Sequence, residues 1–223
     1  MRIVMLNKEQ YFPTNVYVKD ILDGQMLRDL KKYILGRSGK EEGFKRSNVK
    51  GWHSQTNFHE SSQCDKLKQE LYTMLEDIFK EEQLLGEPSL RNMWANINYE
   101  GGHNRNHIHP GALFSGVFYV ESFADSGNLK LYDPRPGIHY TPPLYKMEKD
   151  FKKELWREVS YPPMDGRVII FPSWLWHSVE INESHKPRIS ISFNFTQKLP
   201  PIQMDDPVLH YKDATGRGRN IND

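Results

Sequence analysis

Two histidines stand one residue apart in "NRNHIHPGALFSGVFYV", directly before a Pro-Gly turn and a strand-like run. Side chains of an extended chain point alternately to opposite faces, so His107 and His109 share one. Two imidazoles projecting together can bind one metal ion. A third, His177, ends the strongly apolar stretch "RVIIFPSWLWHSVEI" far along the chain. Two ligands close in sequence and one distant suit a metal site closed by the fold. Three protein ligands also leave coordination positions open, as catalysis requires and structural zinc does not. A lone His-x-His is more often a surface or hydrogen-bonded pair, so the distant ring carries the argument. His53, His59, His103, His139, His185 and His210 have no such partner and read as ordinary, with His103 notable for lying just before the pair.

The run "RISISFNFTQ" adds a second chemical feature. Arg188, Ser190, Ser192, Asn194 and Thr196 fall on one strand face, and Ile189, Ile191, Phe193 and Phe195 on the other. That polar face could meet solvent. If instead the apolar face packs outward on helices, the polar face looks into a cavity and Arg188 is desolvated. A desolvated guanidinium needs an anion, and its planar fork suits a carboxylate held bidentately.

The elements that must position these groups can be read around them. "FPTNVYVKDI" is an early strand, and Asp20 to Gly36 carries Ile21, Leu22, Leu27, Leu30 and Ile34 at helical spacing, ending at the glycine. Residues 37–60 are polar and read as loop. A second helix begins near Ser62, with Ser62 and Asp65 resembling a capping box and Leu67, Leu71, Met74, Leu75 and Ile78 forming a stripe that should lie against a sheet. From Arg91 onward, "RNMWANINY", "LFSGVFYVE", "GNLKLYDP", "REVSYP", "RVIIFPSWLWHSVEI" and "RISISFNFTQ" follow one another without intervening helices. Such a series predicts an antiparallel barrel of the jelly-roll kind, mainly β with flanking helices. Pro134 to Lys153 is too proline-rich and charged for a central strand. It reads as a loop over one mouth, with Arg135, His139 and Tyr140 as candidate lid and substrate contacts. The tail "YKDATGRGRNIND" reads as weakly held, its Gly-Arg pairs being the only hint of phosphate contact.

The 223 residues suit a single domain: a strand and two supporting helices over 12–90, a β core over 91–197 and a tail over 198–223. Thirty Lys and Arg against 29 Asp and Glu leave no global footprint for nucleic acid or an anionic membrane. One cysteine, Cys64, cannot form an internal disulfide. No apolar run approaches a membrane span, and the first residues are too short of apolar character for a signal peptide. A cytoplasmic protein is expected.

With these parts assembled, the chain resembles the iron(II)- and 2-oxoglutarate-dependent oxygenases. It is most similar to their subgroup of uncharacterised 2-oxoglutarate/iron(II) oxygenase-like proteins. The likeness rests on "HIHPGALFSGVFYV", "FPSWLWHSV" and "RISISFNF", with "FPTNVYV" and "WANIN" before them, and runs over most of residues 12–197. It implies a double-stranded β-helix in which His107, His109 and His177 hold Fe(II). By the same likeness Arg188 and Ser190 grip the far carboxylate of 2-oxoglutarate, and Tyr119, Asn96 and Asn98 lie near that cosubstrate. The implied reaction uses O2 to oxidise a primary substrate while 2-oxoglutarate becomes succinate. One departure stands out: His109 replaces the usual carboxylate ligand. Three neutral imidazoles would leave the metal its full double charge. Asp133, in "LKLYDPRP", is a possible substitute, although Asp-Pro commonly closes a turn. Tyr119 could equally be a plain core aromatic.

Two rival readings share the barrel. A cupin would place a glycine six residues before His-x-His, as Gly101 stands before His107, but its expected glutamate is replaced by Leu113 and Phe114. A non-catalytic jelly-roll binding module could use tryptophans to stack on sugars, yet Trp174 and Trp176 alternate with Ser173 and Leu175 as core residues would. The primary substrate and the oligomeric state are open at this level.

Overall fold

The computed structural model describes residues 11–140, 143–146, 153, 156–200, 211–212 and 218–219. Its elements are β1 (Tyr17–Asp20), α1 (Gly24–Ser38), β2 (Asn48–His53), α2 (Asp65–Glu81), β3 (Glu87–His107), β4 (Phe114–Glu121), β5 (Leu129–Tyr132), β6 (Glu158–Tyr161), β7 (Arg167–Pro172), β8 (His177–Val179) and β9 (Arg188–Lys198). Tyr211–Lys212 and Gly218–Arg219 form a separate short pair.

The nine strands make one curled antiparallel sheet in the order β1-β7-β4-β9-β3-β8-β5-β6, with β2 also on β3. The long β3 carries the curl. Its first part, Glu87 to Asn98, pairs with β9, whereas Asn104 and His107 pair with β8. One strand therefore belongs to both walls of a half-barrel, as the jelly-roll expectation requires.

Strand alternation sorts the side chains. Ile189, Ile191, Phe193 and Phe195 of β9 and Met93, Ala95 and Ile97 of β3 point outward into a core shared with Leu30, Ile34, Leu67, Leu71 and Leu75 of the helices. Burying each such side chain contributes roughly 1.5–3 kcal/mol. The intervening residues must then face inward, and that inner face is polar.

Several boundaries differ from the sequence reading. Helix α1 starts later, because the Asp23 carboxylate accepts hydrogen bonds from the Gln25 and Met26 amides and caps it there. It also passes through Gly36 to Ser38, where a bidentate Arg37–Glu41 pair supports the last turn. Helix α2 starts at Asp65 without the expected capping box. Ser62–Cys64 is instead a short 3-10 turn capped by Ser61. Residues 37–60, read as loop, contain β2. Its pattern was hidden by Lys50 at φ 48° and a register shift between Val49 and Gly51. The run "RVIIFPSWLWHSVEI" is two strands separated by a turn at 173–176. That turn inverts the expectation for the tryptophans: Ser173 and Leu175 are buried, while Trp174 and Trp176 are 52% and 47% exposed.

Asp133 closes a turn, its carboxylate accepting from the Arg135 amide and pairing with the Arg135 guanidinium. Residues 141–142 and 147–152 of the expected loop over the mouth, and the His139 side chain, lie outside the described residues, as do residues 154–155 and most of the tail. Among the described residues no helix is long and apolar enough to cross a membrane.

Gly116 on β4 lies where a Cβ would meet the Phe193 ring at 2.4 Å and the Ile169 carbonyl at 2.8 Å. Gly116→Ala is expected to cost about 1–3 kcal/mol by overpacking, read as a lowered urea midpoint with an unchanged m-value.

Candidate metal centre

His107 ends β3 and His177 begins β8, and the two are direct partners in the ladder. One cross-strand rung thus joins residues 70 positions apart, with ring centroids 4.2 Å apart. His109 reaches the same place because its amide is tied to the Ser173 carbonyl at 2.9 Å, which folds the Pro-Gly segment back over the turn before β8. Its ring lies 5.0 Å from His107 and 4.9 Å from His177. One ligand-capable nitrogen of each ring falls within 4.8 Å of the others, and among the described residues no other group of three metal-binding side chains does so. Asp133 is not part of the cluster, so a carboxylate does not complete it.

Each ring is oriented by its Nδ1. That atom meets the Arg105 carbonyl at 2.6 Å in His107, the Leu175 carbonyl at 2.9 Å in His177, and the Asn194 Oδ1 at 2.6 Å in His109. A ring nitrogen against such an oxygen carries the proton, which leaves Nε2 unprotonated and able to coordinate. Burial pushes the pKa of all three rings down, to about 4 for His109 and about 3 for His177, so they are neutral at pH 7. The amide behind His109 is itself fixed. Asn194 Oδ1 accepts from the Ser115 hydroxyl at 2.7 Å, and Nδ2 donates to Asn92 Oδ1 at 2.8 Å. Sequence reasoning put Asn194 on the polar face and missed this role; the alternation of β9 was the available signal.

Arg188 is 1% exposed. Its Nη1 donates to the Ser126 and Gly127 carbonyls, while the buried Nη2 has no partner. Gly127 adopts φ 84°, and a Cβ there would lie 2.5 Å from the Glu180 carbonyl, so a glycine is needed to present that acceptor. Burial lowers the Arg188 pKa from its ordinary value, but a guanidinium stays charged at neutral pH.

The eight residues assigned from the sequence to metal and 2-oxoglutarate line one cavity of about 690 Å³: the three histidines, Arg188, Ser190, Tyr119, Asn96 and Asn98. Arg135 and Tyr140, expected as substrate contacts, are not among its lining residues. Tyr119 lines the cavity and also packs with Leu129, Leu131, Ile169 and Phe171. Burial pushes its phenol up to about 12, so it remains protonated. Asn96 Oδ1 is a second buried polar atom without a partner. Two unanswered polar atoms in one cavity fit a ligand that supplies both an acceptor and a donor. Three unprotonated imidazole nitrogens suit a borderline ion such as iron(II). His53, read as ordinary, also lines the cavity and stacks on Trp94 at 5.5 Å. It was missed because β2 was.

Residues 92–194, which hold every candidate ligand, match the sequence family described as "Putative 2OG-Fe(II) oxygenase". No curated protein matches the chain. Among solved structures, the chain is similar to a Pseudomonas putida prolyl-4-hydroxylase at 15% identity and a TM-score of 0.60, over 83% of this chain and 94% of that one. It is also similar to SnoN, a non-heme alpha ketoglutarate dependent epimerase from nogalamycin biosynthesis, at 14% identity and a TM-score of 0.61, over 92% and 87% of the two chains. A structure of that epimerase with Fe3+, alpha ketoglutarate and nogalamycin RO matches at 16% identity and a TM-score of 0.58, over 92% and 88%. These identities establish a shared fold. The family match over the barrel supports an Fe(II)/2-oxoglutarate-dependent dioxygenase with iron(II) and 2-oxoglutarate as cofactors.

The depressed histidines fix how the metal-free protein responds to acid. Their folded pKa lies below the unfolded value near 6.5, so below that pH the unfolded chain binds protons that the folded one refuses. Stability is complete above about pH 6.5 and falls towards pH 4. At pH 5 the loss is on the order of 2 kcal/mol for each of His109 and His177. Urea titrations of metal-free protein should show it, and His109→Gln/His177→Gln should flatten the slope.

Proposed function

We propose that this protein oxidises a carbon–hydrogen bond of a primary substrate, hydroxylase-fashion, while 2-oxoglutarate is decarboxylated to succinate. In this reading His107, His109 and His177 hold iron(II), and Arg188 with Ser190 holds the far carboxylate of 2-oxoglutarate. The observation that carries it is the half-satisfied guanidinium. Two carbonyls hold Nη1 on one side, and the free Nη2 shares a cavity with three rings whose Nε2 atoms are unprotonated.

When bound, iron(II) and 2-oxoglutarate supply the activation of dioxygen that amino-acid side chains lack. The side chains of the chain do the rest. Carbonyl and amide oxygens keep the imidazole tautomers fixed, so no proton has to leave before a ligand can bind. Arg188 meets a carboxylate in a desolvated place, where a charge-assisted, bidentate contact is strongest. The protonated Tyr119 hydroxyl offers a donor beside it, and Asn96 and Asn98 line the same cavity from β3 as the ladder partners of Ser190 and Arg188. Leu129, Phe171 and Val179 give that end an apolar lining, which keeps bulk water away. Replacing the usual carboxylate with His109 removes one negative charge from the ligand set. The near carboxylate of the cosubstrate then meets a metal whose charge no protein ligand has reduced, which favours its binding over that of a neutral competitor.

A reducing, cytoplasmic location accords with this chemistry and with Cys64. That thiol is fully buried beneath α2, and burial pushes it up to about 12, so it is inert.

Purified protein should take up iron(II) and show a weak visible charge-transfer band only when 2-oxoglutarate is added. Metal without the band would favour a cupin-like role, and no metal uptake a binding module. Arg188→Leu is expected to abolish 2-oxoglutarate turnover with iron content near that of the parent, whereas His177→Ala should lose most of the metal. Equal loss of iron in both variants would show that Arg188 has been misassigned. Arg188→Lys, which keeps the charge without the fork, should raise the KM for 2-oxoglutarate at least tenfold.

A further inference from the structure

The charges around the cavity do not balance. Arg46, Arg91 and Arg105 line it in addition to Arg188, and among the described residues no aspartate or glutamate does. The whole chain is nearly neutral, at +1, so this is local concentration rather than a basic protein. The four guanidiniums also differ in depth. Arg188 is buried at the floor, while Arg46, Arg91 and Arg105 are exposed at the rim. Arg91 is committed to the Pro110 and Gly111 carbonyls beside His109. Among the described residues the Arg46 and Arg105 side chains make no hydrogen bond or ion pair.

A continuous path of rings joins the histidines to Arg46. Trp94 lies 5.6 Å from His109 and 5.5 Å from His53, with His53 parallel to it. Arg46 and His53 line the cavity together, and burial, with the Arg46 charge adding to it, lowers the pKa of His53. Arg46, His53 and Thr56 also line a smaller adjoining hollow of about 270 Å³, so the cavity continues past Arg46 as a groove.

We propose that the primary substrate is an anion whose carboxylate or phosphate group is read by Arg46 and Arg105 at the rim, with the group to be oxidised lying across Trp94 towards the histidines. This deepens the oxygenase reading and rests on it for calling the anion a substrate. Arg188 and a divalent metal already answer both charges of 2-oxoglutarate. The rim arginines are surplus to that cosubstrate, and with no acidic side chain lining the cavity among the described residues they are left to an incoming anion. A neutral substrate would leave two guanidiniums at the mouth of an active cavity without a function.

The test uses full-length protein with iron(II) and saturating 2-oxoglutarate under argon, titrated calorimetrically with benzoate, phenyl phosphate and uncharged benzamide. The probes share a ring for Trp94 and differ in charge. Benzoate or phenyl phosphate should bind at least tenfold more tightly than benzamide, without loss of the 2-oxoglutarate-dependent band. Whichever anion binds more tightly identifies the carboxylate or phosphate source. Arg46→Glu should weaken anion binding at least tenfold, and Arg46→Lys should restore part of it. Arg28→Glu, on the outer face of α1, changes the net charge equally and should leave binding unchanged.

Equal binding of benzamide, no binding of either anion, or indifference to Arg46→Glu would overturn the proposal. So would displacement of 2-oxoglutarate by the anions, since they would then be reading Arg188. A parent protein that never forms the band would instead bring down the oxygenase reading. The charge preference and its dependence on Arg46 would still be read directly from the same titrations.

Discussion

Strand β9 has to serve two environments with one backbone, and the rest of the molecule follows from that constraint. Its odd-numbered residues, from Ile189 to Phe195, sit in the core beneath both helices. Its even-numbered residues, from Arg188 to Asn194, line the cavity. A slip of one residue would exchange the two sets and put a guanidinium among phenylalanines. The apolar stripe of α2 therefore does more than stabilise the fold. By fixing which face of β9 is outward, it forces the polar face inward, where Arg188 loses water and has to be answered by carbonyls on one side and a ligand on the other.

The histidines show the same economy. A metal site needs neutral rings in defined tautomers, and both requirements are met by ordinary backbone. His107 and His177 are oriented by carbonyls only two residues away, so the strand ends that carry the rings also orient them. His109 departs from this pattern. Lying beyond the end of β3, it relies on a side-chain amide from β9 and on a serine from β4. The one ring of the three that lies off the strand ends is thus the one held by long-range contacts. Its geometry depends on three strands being in register.

Much of this was legible in the sequence because it depends on period and spacing. The alternation of "RISISFNF" placed Arg188 correctly, and the helix stripes gave the outer layer. The His-x-His spacing gave two of the clustered rings, and His177 followed from the end of an apolar run. What was not legible lacked a regular pattern. β2 has a positive-φ lysine and a bulge, so its pairing with β3 had no periodic signature, and the roles of His53 and Arg46 went with it. Trp174 and Trp176 were misread because a turn between β7 and β8 breaks the alternation that would have buried them. The amide behind His109 was on the page as a polar strand residue, but its partner is 85 positions away.

The double membership of β3 has one further consequence. Its first half is zipped to β9 in the large wall, and its last residue forms a rung with His177 in the small one. An ion gripped by those two rings would act as a clasp across the seam where the walls meet, adding a bond to a ladder whose final strand is three residues long. Occupancy and closure of the small wall then become a single equilibrium. The ion stabilises the closed barrel by mass action, and fraying of the short strand at the seam becomes the route by which the ion is lost.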